Sequence, residues 1–570
     1  MRAVMRLLRN LAIIGGFLLF VGLAGFATWV FMPDASRQLL REPGSVGRTL
    51  EQNARRGPVN PFIAFRDWIL EQLAELRDMN DVVVAADGTN AGITPLPAWT
   101  QTGTEGRDTG RFFGATESIW QSRRARLAGV RWSRVVFFWS EIQPRSARDW
   151  RAGFVLPDRM VKRERDNGVE VIGLLINTPA WAQADSRSSV LSVPAGLDRP
   201  IDDPQNYWAS FVRLMAADYR GRIDTWIVWN EPDIPSEGPN SQYHTWAGDA
   251  VDYARLLRVA YLAAKQGNPN ARIVFGATTY WSDVNAGRPL FLERSLTVLA
   301  GDPDAARSHF YLDAVALNLY TSADDLGRVA GVYRDVLGRF GLDAPLWLTE
   351  TNATPYDDPA KGLRREQNGL RVTLEQQSAY VIQAFALGLA SGLERMAFHS
   401  TMDRATEDEV WGLVRNDGTL RPAFVAYQTA ARYLSGGRAR FVGRERPEWR
   451  WPPGGYVPNW QVYLVGLERE AGAGAGSELV SVLWNGDGAP LRVSVPARAA
   501  QAELVDKYGR AQPQALARDG DRWVLTLPPA TAHSPLDPDG YFFVGGDPLL
   551  LVERGVTNGL ASLEAPSPVG

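Results

Sequence analysis

The chain has 570 residues, enough for two or more folded domains with a large apolar core. Its 61 lysines and arginines face 64 aspartates and glutamates, so no basic excess is available for phosphates, and nucleic acid is not expected as a partner. Cysteine is absent and the 4 histidines lie far apart in the sequence, which argues against disulfides, thiolate chemistry and a catalytic metal, so we expect no cofactor.

An uncharged apolar run covers residues 11–31. A helix rises about 1.5 Å per residue, so this run is long enough to cross a hydrocarbon core of about 30 Å. Three arginines precede it, a flank that places the N-terminus in the cytoplasm and the rest of the chain outside. We predict that residues 1–32 form a transmembrane anchor. A cleaved signal peptide, favoured by small residues near position 26, and a buried core helix are the alternatives.

Residues 33–110 have a mixed pattern. Apolar residues recur at helical spacing over 62–76, a short strand is possible at 81–86, and residues 90–110 are rich in glycine, threonine and proline. We predict a spacer with some helix, which either lifts the following domain off the membrane or packs on the C-terminal domain.

Between residues 111 and 434, short apolar runs alternate with longer amphipathic segments, the pattern of a parallel sheet with crossover helices. Eight such units favour a closed (β/α)8 barrel, the TIM barrel, over an open doubly wound sheet. No GxGxxG motif follows a strand, which further disfavours a dinucleotide-binding fold. The predicted strands are 112–115, 132–138, 169–175, 224–229, 272–277, 314–319, 346–349 and 395–399.

The helical pattern ends near residue 434, and strand-like runs separated by Gly, Pro and Asp turns follow. We therefore predict an all-β, sandwich-like domain over residues 435–556 and a disordered tail over 557–570. The predicted strands are 461–467, 478–483, 491–495, 502–505, 522–527, 541–544 and 549–552.

Two of the predicted barrel strands end in a glutamate. Glu231 follows the fourth strand in the segment WIVWNEPD, and Glu350 ends the seventh in PLWLTETN. Because the C-terminal ends of all barrel strands meet at one mouth, we expect the two carboxyls to face each other. Glycoside cleavage needs such a pair, one to protonate the departing oxygen and one to attack the anomeric carbon or activate water. Taken alone, either glutamate can instead be a solvated or arginine-paired rim charge.

With these motifs, residues 111–434 resemble the clan A glycoside hydrolases, whose barrels carry Asn-Glu after strand four and a nucleophilic Glu after strand seven. Further matching segments are WSR at 132–134, FWSEIQP at 138–144, TPAWA at 178–182 and GLVRNDGTLRPAF at 412–424. Within the clan, the chain resembles family 39 most, partly because a β-domain follows the barrel.

The resemblance implies that Glu231 is the general acid/base and Glu350 the nucleophile of a retaining mechanism, with carboxyls about 5 to 5.5 Å apart. It also places Arg134 beside the nucleophile and makes Tyr320 a hydrogen-bond donor to it. Asn230 is expected to hydrogen-bond the sugar 2-hydroxyl. A structural ion pair, simple packing and capping of a turn are the respective alternatives for these three residues.

Aromatic residues after other strands are candidate sugar platforms, although each alone can equally belong to the core. We expect at least two of the four indoles of Trp139, Trp181, Trp281 and Trp411 in the cleft. Two positions depart from the clan pattern: Asn318 replaces the histidine of a His-x-Tyr motif, and His399 or Ser400 stands where a tryptophan is common. Both departures lie where the substrate is read, so the sugar itself is not inferred.

The sequence thus predicts a retaining glycoside hydrolase that cleaves an extracellular polysaccharide or oligosaccharide, with carbohydrate as its substrate and the membrane as its anchor site. A non-catalytic carbohydrate-binding or envelope protein on a degenerate barrel is one alternative. A transglycosidase, in which an acceptor sugar replaces water, is the other.

Overall fold

The computed structural model describes residues 109–185, 189–238, 241–359, 370–403, 410–446, 460–470, 476–534, 537–557 and 559–569. All belong to one of the two structural units of the chain, Arg66–Gly570. The predicted anchor and almost all of the predicted spacer lie outside these residues. Within the described ranges, no helix combines the length and apolar character needed to cross a membrane.

Eight parallel strands close into a barrel in the order β1-β8-β7-β6-β5-β4-β3-β2. Each of the eight predicted strands overlaps one of them, so the predicted barrel is confirmed. The strands are β1 Phe113–Thr116, β2 Trp132–Phe138, β3 Glu170–Ile176, β4 Thr225–Asn230, β5 Arg272–Thr278, β6 Ala314–Asn318, β7 Leu346–Thr351 and β8 Arg395–Phe398.

One helix follows each strand, and polar side chains fix where several of them begin. Thr373 and Gln376 form a reciprocal capping box at one helix start, and Asp249 and Asp252 form another. The helices are α1 Ser122–Ala128, α2 Asp158–Asp166, α3 Tyr207–Asp218, α4 Ala250–Gly267, α5 Phe291–Leu299, α6 Asp325–Arg339, α7 Leu374–Ala390 and α8 Pro422–Leu434.

Short elements fill the connections. A two-stranded pair, Thr354–Pro355 with Arg371–Val372, follows β7. Short helical segments occur at Thr109–Arg111, Ser118–Gln121, Trp139–Ile142, Ala152–Val155, Ala180–Ala182, Ser241–Tyr243, Trp281–Asn285, Ala306–Tyr311 and Pro513–Ala515.

The barrel interior is a packed core rather than a channel. Trp132 and Trp347 fill it together with small and branched side chains from the other strands. A Cβ atom on Gly114 of β1 would lie 2.1 Å from the Trp132 ring, so this strand can pass the indole only with glycine at that position. A second, larger apolar layer joins the outer faces of the strands to the helices.

The C-terminal domain consists of two packed sheets, as predicted, with a shared apolar core. The first sheet has the order β9-β10-β11-β18-β13 and the second β14-β15-β12-β19, while β16 and β17 pair with each other. The strands are β9 Arg438–Glu445, β10 Trp460–Glu470, β11 Ser477–Asn485, β12 Leu491–Pro496, β13 Ala502–Val505, β14 Leu516–Asp519, β15 Arg522–Leu527, β16 Ala532–Ser534, β17 Asp537–Val544, β18 Leu549–Val556 and β19 Ser567–Pro568.

The predicted disordered tail is wrong for residues 559–569. Leu563 is buried in the core of the β-domain, and β19 pairs antiparallel with β12. The sequence pattern does not indicate β19, because this strand has only two residues and one of them is a proline.

The β-domain is fastened to the barrel by buried polar contacts. Ser322, in the loop after β6, donates to the carbonyl of Phe543 at 3.1 Å. Gln383 of α7 donates to the carbonyl of Gly546 at 2.9 Å, and the ammonium of Lys507, itself 3% exposed, lies 2.8 Å from Glu375 of α7. The domain therefore supports the α6 and α7 side of the barrel and the loop after β6.

A buried group of two arginines and two aspartates joins the loops after β7 and β8. Arg421, with no exposed surface, lies 2.7 Å from Asp358 and 2.7 Å from Asp403. Arg415 makes a second contact with Asp358 at 3.0 Å. Neutral replacement of Arg421 would leave the carboxylates of Asp358 and Asp403 buried without full compensation.

We expect Arg421→Met to lower the free energy of unfolding by about 3–5 kcal/mol, because Asp403 and Asp358 would lose a buried cation. Denaturant unfolding followed by tryptophan fluorescence measures this. The matched control is Arg145→Met, which breaks an ion pair with Asp149 on a side chain 67% exposed and should cost less than about 1 kcal/mol. An equal decrease in the free energy of unfolding in both variants would contradict a stabilising role for the buried Arg421 ion pairs.

Candidate active site

The turn after β4 presents Glu231 at the C-terminal mouth of the barrel. Trp229 and Glu231 have left-handed backbone angles, φ 68° and 47°, which non-glycine residues rarely adopt. The amide of Glu231 donates to the carbonyl of Ala277 on β5 at 2.7 Å, and the Thr245 hydroxyl donates to the Glu231 carbonyl at 3.2 Å. The surrounding structure thus holds a strained turn, a feature that is common at functional sites.

Glu350 of β7 lies in a buried, cationic environment. Its Oε1 is 2.5 Å from Nη2 of Arg134 on β2, its Oε2 accepts a hydrogen bond from the Tyr320 hydroxyl, and Nδ1 of His399 is 3.7 Å from Oε2. Among the described residues, Nε and Nη1 of Arg134 have no hydrogen-bond acceptor, so the guanidinium acts mainly on Glu350. Burial alone would raise the pKa of Glu350, but Arg134, His399 and the Tyr320 hydrogen bond together hold that pKa well below the usual range. The carboxyl is therefore ionised at neutral pH.

Glu231 is in the opposite situation. Burial raises the pKa of Glu231 well above the usual range, and the negative charge of Glu350 raises it further. A hydrogen bond from Nδ2 of Asn318 to Oε1, 2.9 Å long, offsets only part of this shift. The carboxyl consequently holds a proton at neutral pH.

The end of β6 and the residues just after it contact both glutamates. Asn318, which contacts Glu231, also accepts from the hydroxyl of Thr349 at 2.8 Å, and Thr349 immediately precedes Glu350 in β7. Tyr320, two residues after Asn318, donates a hydrogen bond to the carboxylate of Glu350. A proton donor and an ionised carboxylate at one mouth can protonate a leaving group and attack or deprotonate at the same centre.

Aromatic residues from the β6 and β8 sides form a wall beside Glu350. The ring of Tyr320 lies 5.1 Å from Trp411 and 6.1 Å from His399, and His399 lies 5.7 Å from Trp411. Asn352 holds the β8 loop by donating to the carbonyls of His399 and Trp411 at 2.5 and 2.8 Å. Trp411 remains partly exposed, so it offers an apolar surface to the mouth.

The structure corrects the prediction for Trp139. Its indole has no exposed surface, stacks on Phe211 at 5.0 Å and donates to Gln143 at 2.7 Å. The ring belongs to the layer between strands and helices, where it packs against Trp208 and Phe211 of α3. It cannot form a cleft surface without unpacking this layer.

The other two indoles lie outside the network around the glutamates. Trp181 is partly exposed, donates to the Gln143 carbonyl at 2.6 Å and packs edge-on against Trp139 at 5.9 Å. Trp281 is also partly exposed, with the Arg328 guanidinium 5.3 Å from its ring. Of the four candidates, only Trp411 contacts other site residues in the part of the chain described, so the expectation of two platforms stays a prediction.

Several residues of the site gave no motif in the sequence. Oγ1 of Thr116, at the end of β1, lies 2.9 Å from Nδ1 of His399. Asn352 donates a hydrogen bond to the backbone carbonyl of His399. Asp233 is 1% exposed and accepts from both the amide and the hydroxyl of Thr279 at 2.8 Å, which braces the turn after Glu231 against β5. Asp233 and Asn352 each lie two residues after a strand-end glutamate, which is the only sequence signal for them. That position does not predict which residues they contact.

No three His, Cys, Asp or Glu side chains within the described ranges are grouped so that they can hold a metal ion. Glu231 can supply a proton donor and Glu350 an ionised carboxylate, so both groups come from side chains of the barrel.

No family model and no curated protein matches the sequence. Among solved structures, a family 39 glycoside hydrolase from the gut symbiont Bacteroides cellulosilyticus WH2 aligns with 78% of this chain and 82% of its own, at 16% identity and a TM-score of 0.54. The catalytic domain of the family 30 xylanase C from Talaromyces cellulolyticus aligns with 78% of this chain and 96% of its own, at 14% identity and a TM-score of 0.49. The first likeness shows that this chain has the fold of a clan A glycoside hydrolase.

Proposed function

We propose that the protein is a glycosidase that cleaves O-glycosidic bonds with retention of configuration. The observation that carries the proposal is the pair of carboxyls at one barrel mouth, Glu231 with a raised pKa and Glu350 with a lowered pKa. Double displacement needs this division, because one carboxyl must donate a proton while the other attacks as an anion. The shared fold with the family 39 structure supports it.

In the first step, an oxygen of Glu350 forms a bond to the anomeric carbon while the bond to the leaving oxygen breaks and Glu231 protonates that oxygen. In the second step, Glu231, now ionised, takes a proton from water, whose oxygen attacks the anomeric carbon and releases Glu350. Arg134 and Tyr320 keep Glu350 ionised and oriented before attack. Each step returns Glu231 to the protonation state that the other step requires.

The substrate in this proposal is a polysaccharide or oligosaccharide outside the cytoplasm. Asn230, at the end of β4, is partly exposed at the mouth and supplies a hydrogen bond to the sugar 2-hydroxyl. Trp411 and Tyr320 supply the apolar wall on which a sugar ring packs. Trp181 and Trp281 remain candidates for more distant sugar contacts.

Glu350→Ala should reduce hydrolysis to background, because the variant lacks the carboxylate that attacks the anomeric carbon. Release of reducing sugar from a panel of glycans and 4-nitrophenyl glycosides measures the activity. The matched control is Glu293→Ala on α5, where a partly exposed glutamate pairs with Arg339 of α6, and this variant should retain wild-type turnover. Full activity of the Glu350 variant would contradict the proposal, and tight glycan binding without turnover in the wild type would favour a non-catalytic carbohydrate-binding protein.

The pH profile of kcat/KM should be bell-shaped, because activity requires ionised Glu350 and protonated Glu231. Activity should fall as pH decreases through the lowered pKa of Glu350, and fall as pH increases through the raised pKa of Glu231. With 2,4-dinitrophenyl glycosides, whose leaving group needs no proton, Glu231→Ala should lose the alkaline limb of the first step. An unchanged alkaline limb in that variant would assign the limb to another group.

We also propose that residues 1–32 anchor the enzyme in a membrane with the barrel outside the cytoplasm. The support is the uncharged run 11–31 with its arginine flank. The full chain should remain with membranes after a carbonate wash, whereas a variant that lacks residues 1–32 should be released. Release of the full chain by the wash would contradict the anchor, and a mature N-terminus beyond residue 26 would show a cleaved signal instead.

A further inference from the structure

We propose that Asn318 is a positioning residue that determines which oxygen of Glu231 delivers the proton and which end of the Asn230 side chain meets the substrate. The inference rests on the proposed function and assigns a role to the residue that replaces the expected histidine at the end of β6.

Asn318 is almost completely buried, with 1% of its surface exposed, and both ends of its amide are engaged. Its Nδ2 donates to Oε1 of Glu231 at 2.9 Å and to Oδ1 of Asn230 at 3.2 Å. Its Oδ1 accepts from the Thr349 hydroxyl at 2.8 Å. Asn318 therefore connects the acid, the neighbouring amide and the strand of the nucleophile.

The carboxyl of Glu231 fixes the orientation of this amide. If the amide were rotated by 180°, Oδ1 of Asn318 would face Oε1 of Glu231 and Oδ1 of Asn230, and three acceptors would meet without a proton between them once Glu231 ionises. In the observed orientation each of the two N–H groups of Asn318 has one acceptor. The Thr349 hydroxyl completes the arrangement from the other side.

The contact with Asn318 engages Oε1 of Glu231 and leaves Oε2 to carry the acidic proton. Oε1 accepts from Asn318, and a carboxyl proton placed on Oε1 would compete with that N–H for the same position. The proton of the neutral carboxyl therefore resides on Oε2. A departing glycosidic oxygen must approach Oε2, so Asn318 selects the direction from which the leaving group is protonated.

For Asn230, the same contact fixes the end that meets the sugar. Because Oδ1 accepts from Asn318, the free end of the side chain is the N–H donor Nδ2, for which no described residue is an acceptor. The substrate group beside the anomeric carbon must then accept a hydrogen bond. This favours glycosides with an oxygen at C2 over 2-deoxy glycosides.

Asparagine also differs from histidine in charge. A histidine at this position can become cationic below neutral pH. A cation beside Glu231 would favour the ionised carboxylate and remove the proton that the first step needs. The neutral amide of Asn318 donates a hydrogen bond at every pH without adding charge, so it orients the acid while its proton is retained.

The test compares leaving groups, which a merely structural role would not distinguish. Asn318→Ala should lower kcat/KM roughly 10- to 100-fold for alkyl and 4-nitrophenyl glycosides, because an acid that is misplaced donates its proton poorly. For 2,4-dinitrophenyl glycosides of the same sugar, the loss should be under about threefold, since little protonation is needed. The matched control Asn352→Ala, which releases the β8 loop, should affect all leaving groups equally.

A second measurement does not depend on turnover. In a ¹³C-carboxyl NMR titration, with the Glu231 signal assigned by Glu231→Gln, Asn318→Ala should raise the pKa of Glu231 and Asn318→His should lower it. An equal loss for every leaving group, or an unchanged Glu231 titration in both variants, would overturn the role of Asn318. Absence of any hydrolysis by the wild type would instead refute the proposed function, while the titration would still decide the contact between Asn318 and Glu231.

Discussion

The ion pair between Arg134 and Glu350 sets the electrostatics of the barrel mouth. Both side chains are almost completely buried, and a carboxylate in such a place would take up a proton without a cation beside it. With Arg134 in contact, Glu350 stays ionised, and its charge then helps to keep Glu231 protonated. One buried contact thus gives two chemically identical side chains opposite roles.

The rest of the fold keeps this arrangement rigid. Strand β6 and the loop after it supply a contact to each glutamate, through Asn318 and Tyr320, and β6 lies beside the strand of Glu350. The β-domain holds the same loop through Ser322. Next to β6 in the barrel, Arg421 and its two aspartates join the loops after β7 and β8, where Trp411 lies. Both domains therefore contribute to the geometry of a site that lies wholly in the barrel.

The sequence predicted what depends on local pattern. Apolar runs of strand length identified the barrel, and the polar residue that ends such a run identified Glu231 and Glu350 as mouth residues. Local pattern alone did not predict side-chain contacts between distant segments, and the contacts of Arg134 and Tyr320 with Glu350 were expected only from the resemblance to the clan A glycoside hydrolases. Trp139 and Trp411 both follow strands, and only the path of each loop decides that one is buried and the other faces the mouth. The partnership of Asn318 with Glu231 likewise joins residues 87 positions apart.

The protonation states of the two glutamates at neutral pH test the account most directly. Infrared difference spectra of the wild type against Glu231→Gln and Glu350→Gln report each carboxyl separately. The account predicts loss of a protonated carboxyl band in the first difference and loss of ionised carboxylate bands in the second. Ionised carboxylate bands in both differences would contradict it, because neither residue could then supply the proton.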